Sequence, residues 1–143
     1  MEDRVNHPSH YTGTFKSRDV ECIDITRHMS FDRGNAIKYI WRAGLKDSSE
    51  GTAKAIEDLR KAKFYIEDIR RHGLVEYDTT KAMTAWSLVQ EPDESDRFNW
   101  LKFKAIDILV AGDEPYTDEV NEMLRMLGFA VENDEFESTA PRF

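Results

Sequence analysis

The sequence predicts an all-α protein, a compact bundle of short helices with an extended N-terminal arm and a C-terminal helical extension. Apolar residues recur at helical spacing through most of the chain, and no apolar–polar alternation is long enough to favour strands. Gly44 and Gly73 follow the two clearest helical patterns, where glycine suits a helix end. Hydrophobic residues make up 40% of the 143 residues, which is enough to bury a core.

The first half of the chain contains an arm and three predicted helices. Residues 1–18 are rich in Pro, Gly, Ser and Thr and predict the arm. A first helix is predicted over 19–29, with Asp19 as its N-cap. A second helix is predicted over 32–43 and a third, with the clearest apolar stripe, over 49–72.

The second half contains weaker helical patterns. They predict helices over 79–89, 97–111 and 117–127, with the acidic break EPDESD between the first two. The composition of residues 131–143 predicts a disordered acidic tail. The chain therefore divides into a helical module with its arm at 1–74, an acidic helical extension at 75–130, and the tail.

Charge is distributed unevenly between the two halves. Residues 1–74 hold 14 Lys/Arg and 12 Asp/Glu, whereas residues 75–143 hold 6 and 16. The acidic half argues against DNA binding, because nonspecific affinity comes mainly from neutralised phosphates. A small phosphate ligand on the first half stays open.

Composition also indicates the compartment and the assembly. The single Cys22 excludes an internal disulfide, and no signal peptide or bilayer-spanning apolar stretch is visible, so we expect a cytoplasmic protein without membrane association. Three short helices bury little apolar surface, so a homo-oligomer is expected. Trp100 and Phe103 are the candidates for its interface.

Several common sites are excluded by their motifs. The P-loop and G-x-G-x-x-G motifs are absent, as are a Cys pair for zinc and H-E-x-x-H. His7 and His10 flank Pro8, which is only a weak zinc signal.

Charged stripes on neighbouring helices are the stronger signal. Lys38 and Arg42 share a stripe with Asn35, and Lys46 follows the helix; such cations suit phosphate oxygens. Four carboxylates could hold Mg²⁺ or pair with these cations: Glu21, Asp24, Glu57 and Asp58. The alternative is that both sets are solvated faces in ordinary ion pairs.

Three uncharged side chains could contact a base or a sugar. Tyr11 and Tyr65 could stack on a base, and Asn35 could hydrogen-bond a base edge or a sugar hydroxyl. Each fits equally well as a packed aromatic residue or a helix-capping amide.

Four motifs in order carry a family resemblance: NHPSHY (6–11), VECIDI (20–25), GNAIKYIWRAGLK (34–46) and IEDLRKAKFYI (56–66). Together they resemble a small phage-encoded family long catalogued as a domain of unknown function. One branch, from T-odd phages, is a nucleotide kinase that phosphorylates deoxynucleoside monophosphates without a P-loop. That branch has a long extension before the module, whereas this chain has an acidic extension after it.

The resemblance implies a set of site residues. The family's recurrent positions fall on Pro8, Ser9, His10, Tyr11, Glu21, Asp24, Asn35, Lys38, Tyr39, Arg42, Gly44, Lys46, Asp58, Leu59, Lys61 and Tyr65. Of these, Lys38, Arg42 and Asp58 are the expected catalytic residues, and Glu21 and Asp24 the expected Mg²⁺ ligands. The nucleotide would be bound by His10, Tyr11, Asn35, Lys46, Lys61 and Tyr65.

The expected function is thus phosphoryl transfer to a deoxynucleoside monophosphate, in the host cytoplasm if the protein is phage-encoded. A non-catalytic protein that sequesters a nucleotide would need the same contacts. A magnesium-dependent nucleotide pyrophosphohydrolase, in which Glu21 and Asp24 would form one E-x-x-D pair, and an acidic module that binds a host protein also stay open.

Overall fold

The computed structural model describes residues 15–17, 19–44, 51–72 and 78–131. Within these ranges the chain forms six α-helices and an isolated antiparallel β-bridge between Ser17 and Val89. The helices are α1 (Cys22–Thr26), α2 (Phe31–Arg42), α3 (Gly51–His72), α4 (Thr80–Trp86), α5 (Arg97–Ala111) and α6 (Asp118–Met126). The predicted all-α class is confirmed. No helix in the described ranges is long and apolar enough to cross a bilayer.

The antiparallel pair α2 and α3 is the centre of the bundle. Phe31 at the start of α2 contacts Tyr65 in the second half of α3, and Arg42 at the end of α2 pairs with Asp58 in its first half. Helix α2 also packs on α1 and α5, while α6 packs on α3 and α5. The side chains along α2 and α3 therefore form one continuous surface.

A single hydrophobic core joins all six helices. It contains Ile25, Ile37, Leu59, Ala82, Ile106 and Leu124, one from each helix in order. Phe15, which precedes α1, packs edge-on against Trp41, Trp86 and Phe103. The core thus crosses the predicted boundary between residues 74 and 75, because α4, α5 and α6 complete the burial of α1, α2 and α3.

Three helix ends differ from their predicted positions by three residues, namely the start and the end of α1 and the end of α4. Helix α1 begins at Cys22 with Glu21 as its N-cap, so the prediction of Asp19 as N-cap is wrong. Asp19 has φ +60°, a left-handed conformation that an N-cap residue does not adopt but that aspartate tolerates in a turn. Helix α4 ends at Trp86 because the chain then turns to place Val89 beside Ser17.

The expected interface residues of α5 contact the chain's own bundle. The Phe103 ring centre lies 4.6 Å from that of Trp86. Trp100 is partly buried against the core, and the charged groups of Arg97 and Lys104 lie near its ring. The expected oligomer stays a prediction. The predicted arm before residue 15 and the predicted tail after residue 131 lie outside the described residues.

Candidate functional site

The candidate site lies along the exposed side of the antiparallel pair α2 and α3, which we call the α2–α3 face. Its residues from α2 are Phe31, Asn35, Lys38, Tyr39 and Arg42, and those from α3 are Lys54, Asp58, Lys61, Phe64 and Tyr65. Because the two helices run in opposite directions, the aromatic residues lie toward the start of α2 and the ion pairs toward its end.

Two lysines converge on one tyrosine ring in the middle of this face. The Nζ atoms of Lys38 and Lys61 lie 4.5 and 5.3 Å from the centre of the Tyr39 ring. That ring stacks on Tyr65, with 6.1 Å between ring centres and 7° between planes. The ring faces attract ammonium groups, so the tyrosine draws both positive charges to this part of the face. An anion with several oxygens could contact both lysines at once.

Arg42, Asp58 and Lys54 form a second cluster, one helical turn further along α2. Arg42 Nε lies 3.4 Å from one carboxylate oxygen of Asp58, and Lys54 Nζ lies 3.7 Å from the other. Asp58 is only 1% exposed. Burial raises the pKa of its carboxyl, and the positive charges of Arg42, Lys54 and Lys61 oppose that rise. The buried carboxylate therefore fixes the position of the Arg42 guanidinium, whose side chain is 20% exposed.

Glu57 already pairs with two of the cations. It lies 2.8 Å from Lys61 Nζ and 3.5 Å from Lys54 Nζ. The hydrogen bond from Lys61 lowers the pKa of the Glu57 carboxyl and raises that of the Lys61 ammonium. Both side chains are about half exposed, so an anionic ligand could displace Glu57 from Lys61 at small cost.

The two expected Mg²⁺ ligands cap a helix. The Glu21 and Asp24 side chains form a reciprocal capping box at the start of α1, in which Asp24 Oδ2 accepts a 2.8 Å hydrogen bond from the Glu21 backbone N–H. Asp24 also lies 3.6 Å from Arg27. Both carboxylates thus have structural contacts, and Mg²⁺ binding by them stays a prediction. In the described part of the chain, no group of three or more His, Cys, Asp or Glu is arranged to hold a metal ion.

The structure describes only some of the residues that were predicted to contact a nucleotide. The Asn35 amide donates a 2.8 Å hydrogen bond to the Phe31 carbonyl within α2. The Tyr65 ring packs in the middle of the face. His10, Tyr11 and Lys46 lie outside the described residues. The structure therefore brings together Asn35, Lys38, Arg42, Asp58, Lys61 and Tyr65 of the predicted set.

Two buried cations were not expected from the sequence. Lys102 is fully buried and donates hydrogen bonds to the carbonyls of Trp41 (2.8 Å) and Ala43 (2.7 Å), at the end of α2. Burial lowers the pKa of its ammonium to about 7, although the charge of Asp58 opposes this. Arg33 is 2% exposed and donates to the Leu109 carbonyl at the end of α5. Both residues lie at helical spacing from the apolar residues of their helices. This spacing was the one feature of the sequence that could have predicted their burial.

A carboxyl pair occupies the opposite end of the α2–α3 pair. Asp32 of α2 lies close to Asp68 of α3, and Asp68 lies 3.3 Å from His72 Nε2. Partial burial, followed by the hydrogen bond and the negative charge of Asp68, raises the pKa of Asp32 to about 6. This end of the helix pair therefore holds two neighbouring carboxyls, whereas the Arg42–Asp58 ion pair lies toward the other end.

Comparison with known proteins finds a family model that matches a segment in the first half of the chain. Residues 5–67 match the model of a family described as a protein of unknown function, DUF3310. No curated protein and no solved structure matches the chain. The match includes α1, α2 and most of α3. The chain thus contains a DUF3310 domain over residues 5–67, and this domain carries every residue of the α2–α3 face.

Proposed function

We propose that the DUF3310 domain binds a nucleotide on the α2–α3 face and transfers a phosphoryl group to a deoxynucleoside monophosphate. The observation that carries the proposal is the convergence of Lys38 and Lys61 on Tyr39, one helical turn from Arg42. Three cations beside a cluster of aromatic rings match the two parts of a nucleotide, its phosphates and its base.

Phosphoryl transfer needs charge neutralisation and alignment more than it needs a reactive side chain. An oxygen of the acceptor phosphate bonds to the terminal phosphorus of a donor triphosphate, and the bond from that phosphorus to the bridging oxygen breaks. Lys38 and Lys61 would neutralise the phosphates. The Arg42 fork, fixed by Asp58, would bind the equatorial oxygens in the transition state. Mg²⁺ would enter with the donor triphosphate.

A second candidate is nucleotide binding without chemistry. It is favoured by the capping box, because Glu21 and Asp24 already satisfy the start of α1 and each other. A protein that only sequesters a nucleotide needs the cations and the rings but not a magnesium site. Both candidates place the ligand on the same face, so one experiment can separate them.

The test uses the Lys38→Ala/Arg42→Ala double variant. Each protein is incubated with mixed deoxynucleoside mono- and triphosphates and Mg²⁺, and the products and the protein-bound fraction are resolved by chromatography. The matched control is Lys81→Ala/Arg125→Ala, which removes the same charge from exposed positions on α4 and α6. Circular dichroism verifies that both double variants are folded.

New diphosphates, formed by the wild type and the control but not by Lys38→Ala/Arg42→Ala, would support the kinase. A nucleotide retained unchanged would support sequestration, and release of pyrophosphate from triphosphates would indicate the pyrophosphohydrolase. Equal turnover or retention by a folded Lys38→Ala/Arg42→Ala variant would contradict the site. No nucleotide in either fraction of the wild type would contradict the function and direct attention to the acidic half and a protein partner.

A further inference from the structure

Two phenylalanines on the α2–α3 face are exposed to solvent. Phe31 is 75% exposed and Phe64 is 58% exposed, although other aromatic rings of the chain pack into the core. They come from different helices and meet at Tyr65, whose ring centre lies 6.0 Å from that of Phe31 and 5.3 Å from that of Phe64. The fold therefore assembles one exposed aromatic surface from α2 and α3.

Tyr65 supports this surface from behind. One face of its ring stacks on Tyr39, and the two phenylalanine rings stand at 75° and 84° to it. Edge-to-face and offset-stacked contacts are the favoured geometries of aromatic pairs, so the cluster has a defined shape without a ligand. The exposed rings are Phe31 and Phe64, whereas Tyr65 is engaged by three neighbours.

The same cluster continues into the cationic part of the face. Tyr39 stacks on Tyr65, and its ring centre also lies 4.5 Å from Lys38 Nζ and 5.3 Å from Lys61 Nζ. A ligand that covers the phenylalanines with a flat ring could thus reach the lysines with an attached anion. Nucleotides have this arrangement, with an aromatic base and phosphates joined through a sugar.

We propose that Phe31 and Phe64 form a stacking shelf for the base of a nucleotide whose phosphates contact Lys38 and Lys61. This inference rests on the proposed function and deepens it, since neither phenylalanine was among the expected site residues. Stacking uses the π-face that every base possesses, so the shelf accepts purines and pyrimidines and contacts no base edge. Selectivity among the bases would then have to come from other residues.

The test measures binding of each deoxynucleoside 5′-monophosphate and of deoxyribose 5-phosphate by calorimetry. The proteins are the wild type, Phe31→Ala/Phe64→Ala, the single variant Phe64→Trp, and the control Leu88→Ala. Leu88 is an apolar side chain of comparable exposure, 55%, just after the end of α4. Because all three truncated side chains are exposed, we expect the variants to fold, and circular dichroism verifies this.

We expect Phe31→Ala/Phe64→Ala to bind the nucleotides roughly 5- to 100-fold more weakly than the wild type, the loss typical of removed base–aromatic stacking. Affinity for deoxyribose 5-phosphate should stay unchanged because it has no base. Phe64→Trp and Leu88→Ala should retain nucleotide affinity.

Unchanged nucleotide affinity in Phe31→Ala/Phe64→Ala would overturn the shelf and leave the proposed function standing. A wild type that binds none of the monophosphates would overturn both. Light scattering on the same samples tests a second copy of the chain as the occupant. If the double variant loses molecular mass while its nucleotide affinity is unchanged, the phenylalanines are a subunit interface and the shelf is overturned.

Discussion

The Nζ atom of Lys102 in α5 donates a 2.7 Å hydrogen bond to the carbonyl oxygen of Ala43, directly after α2. A second bond reaches the carbonyl of Trp41, so the ammonium satisfies two of the carbonyls that a helix end leaves without partners. Arg42 lies between these two residues. The acidic half of the chain therefore fixes the end of α2 that presents Arg42 to the α2–α3 face.

Replacing this lysine should change how stability depends on pH. Burial lowers the pKa of Lys102 to about 7, from 10.5 in an unfolded chain, so between these values the unfolded chain binds more protons. The wild type should consequently gain stability relative to Lys102→Met as pH rises from 7 to 9, by about 2 kcal/mol. Urea unfolding of both proteins at several pH values measures this difference.

Lys104→Met is the control, because Lys104 is a partly exposed lysine of the same helix whose pKa is raised by its hydrogen bond to Glu91. Its stability difference from the wild type should stay flat between pH 7 and 9. Cys22, whose pKa burial raises to about 12, is present in every variant and cancels in these differences. Parallel curves for Lys102→Met and the wild type would show that Lys102 keeps an ordinary pKa.

Arg33 should be a major contributor to stability. Its guanidinium donates hydrogen bonds to the carbonyls of Leu109 (3.1 Å), Gly112 (3.3 Å) and Asp113 (2.8 Å), where α5 ends. Arg33→Met would leave these acceptors without that donor, and we expect it to lower the free energy of unfolding by about 2 to 4 kcal/mol. Arg33→Lys should recover only part of this, because a single ammonium cannot span the three carbonyls. Urea unfolding tests both, and a loss as small as that of exposed Arg27→Met would contradict the prediction.

Asp58 should matter more for the position of Arg42 than for the stability of the protein. Asp58→Asn keeps the shape but removes the charge that Arg42 and Lys54 share. Because burial raises the pKa of this carboxyl, the folded state favours its neutral form, so we expect the free energy of unfolding to change by less than about 1 kcal/mol while nucleotide binding weakens. The neighbouring Glu57→Gln change is the control, and it should have little effect on stability because its ion pairs are exposed. A fully stable Asp58→Asn protein with wild-type affinity would show that the buried pair is dispensable.

The Asp32–Asp68 pair should contribute more stability in mild acid than at neutral pH. The pKa of Asp32 is raised from 3.8 to about 6, so the folded state binds more protons between these values and stability falls as pH rises through 6. Asp32→Asn removes this dependence. We expect the melting temperature of Asp32→Asn to increase relative to that of the wild type as pH rises from 4 to 7.

Asp93→Asn is a control of opposite sign. Asp93 accepts a 2.8 Å hydrogen bond from the Ser95 backbone N–H, which lowers the pKa of its carboxyl. This variant should therefore lose stability relative to the wild type as pH rises from acid. If Asp32→Asn also lost stability relative to the wild type as pH rises, the raised pKa of Asp32 would be contradicted.

The helices were predictable because their apolar residues repeat at helical spacing. The predicted ranges 32–43 and 97–111 agree closely with α2 and α5. The start of α1 was not predictable in the same way, because Asp19 and Glu21 are both acidic and only backbone geometry decides which one caps the helix. Helix α4 ends earlier than predicted because Val89 pairs with Ser17, which is distant in the sequence. The local apolar spacing carries no information about such a partner.

For the candidate site, helical spacing predicts Asn35, Lys38 and Arg42 on one stripe, and the antiparallel packing of α2 on α3 brings this stripe beside Asp58, Lys61 and Tyr65. The buried cations were missed because a charged residue type normally indicates a solvated position. Lys102 and Arg33 are buried only because helix ends from elsewhere in the chain offer carbonyls to them. Nucleotide binding by the α2–α3 face stays a prediction.

The single core has a consequence for how the DUF3310 segment can be inherited. Residues 5–67 end before α4, α5 and α6, yet α2 needs the Lys102 ammonium at its end and Phe15 needs Trp86 and Phe103 around it. A gene that acquired this segment alone would encode α1, α2 and most of α3, with the side that packs on α4, α5 and α6 open to water. Recombination could therefore move this segment to another protein only together with the acidic half of the chain. The alternative is a recipient chain that already supplies residues equivalent to Lys102, Trp86 and Phe103.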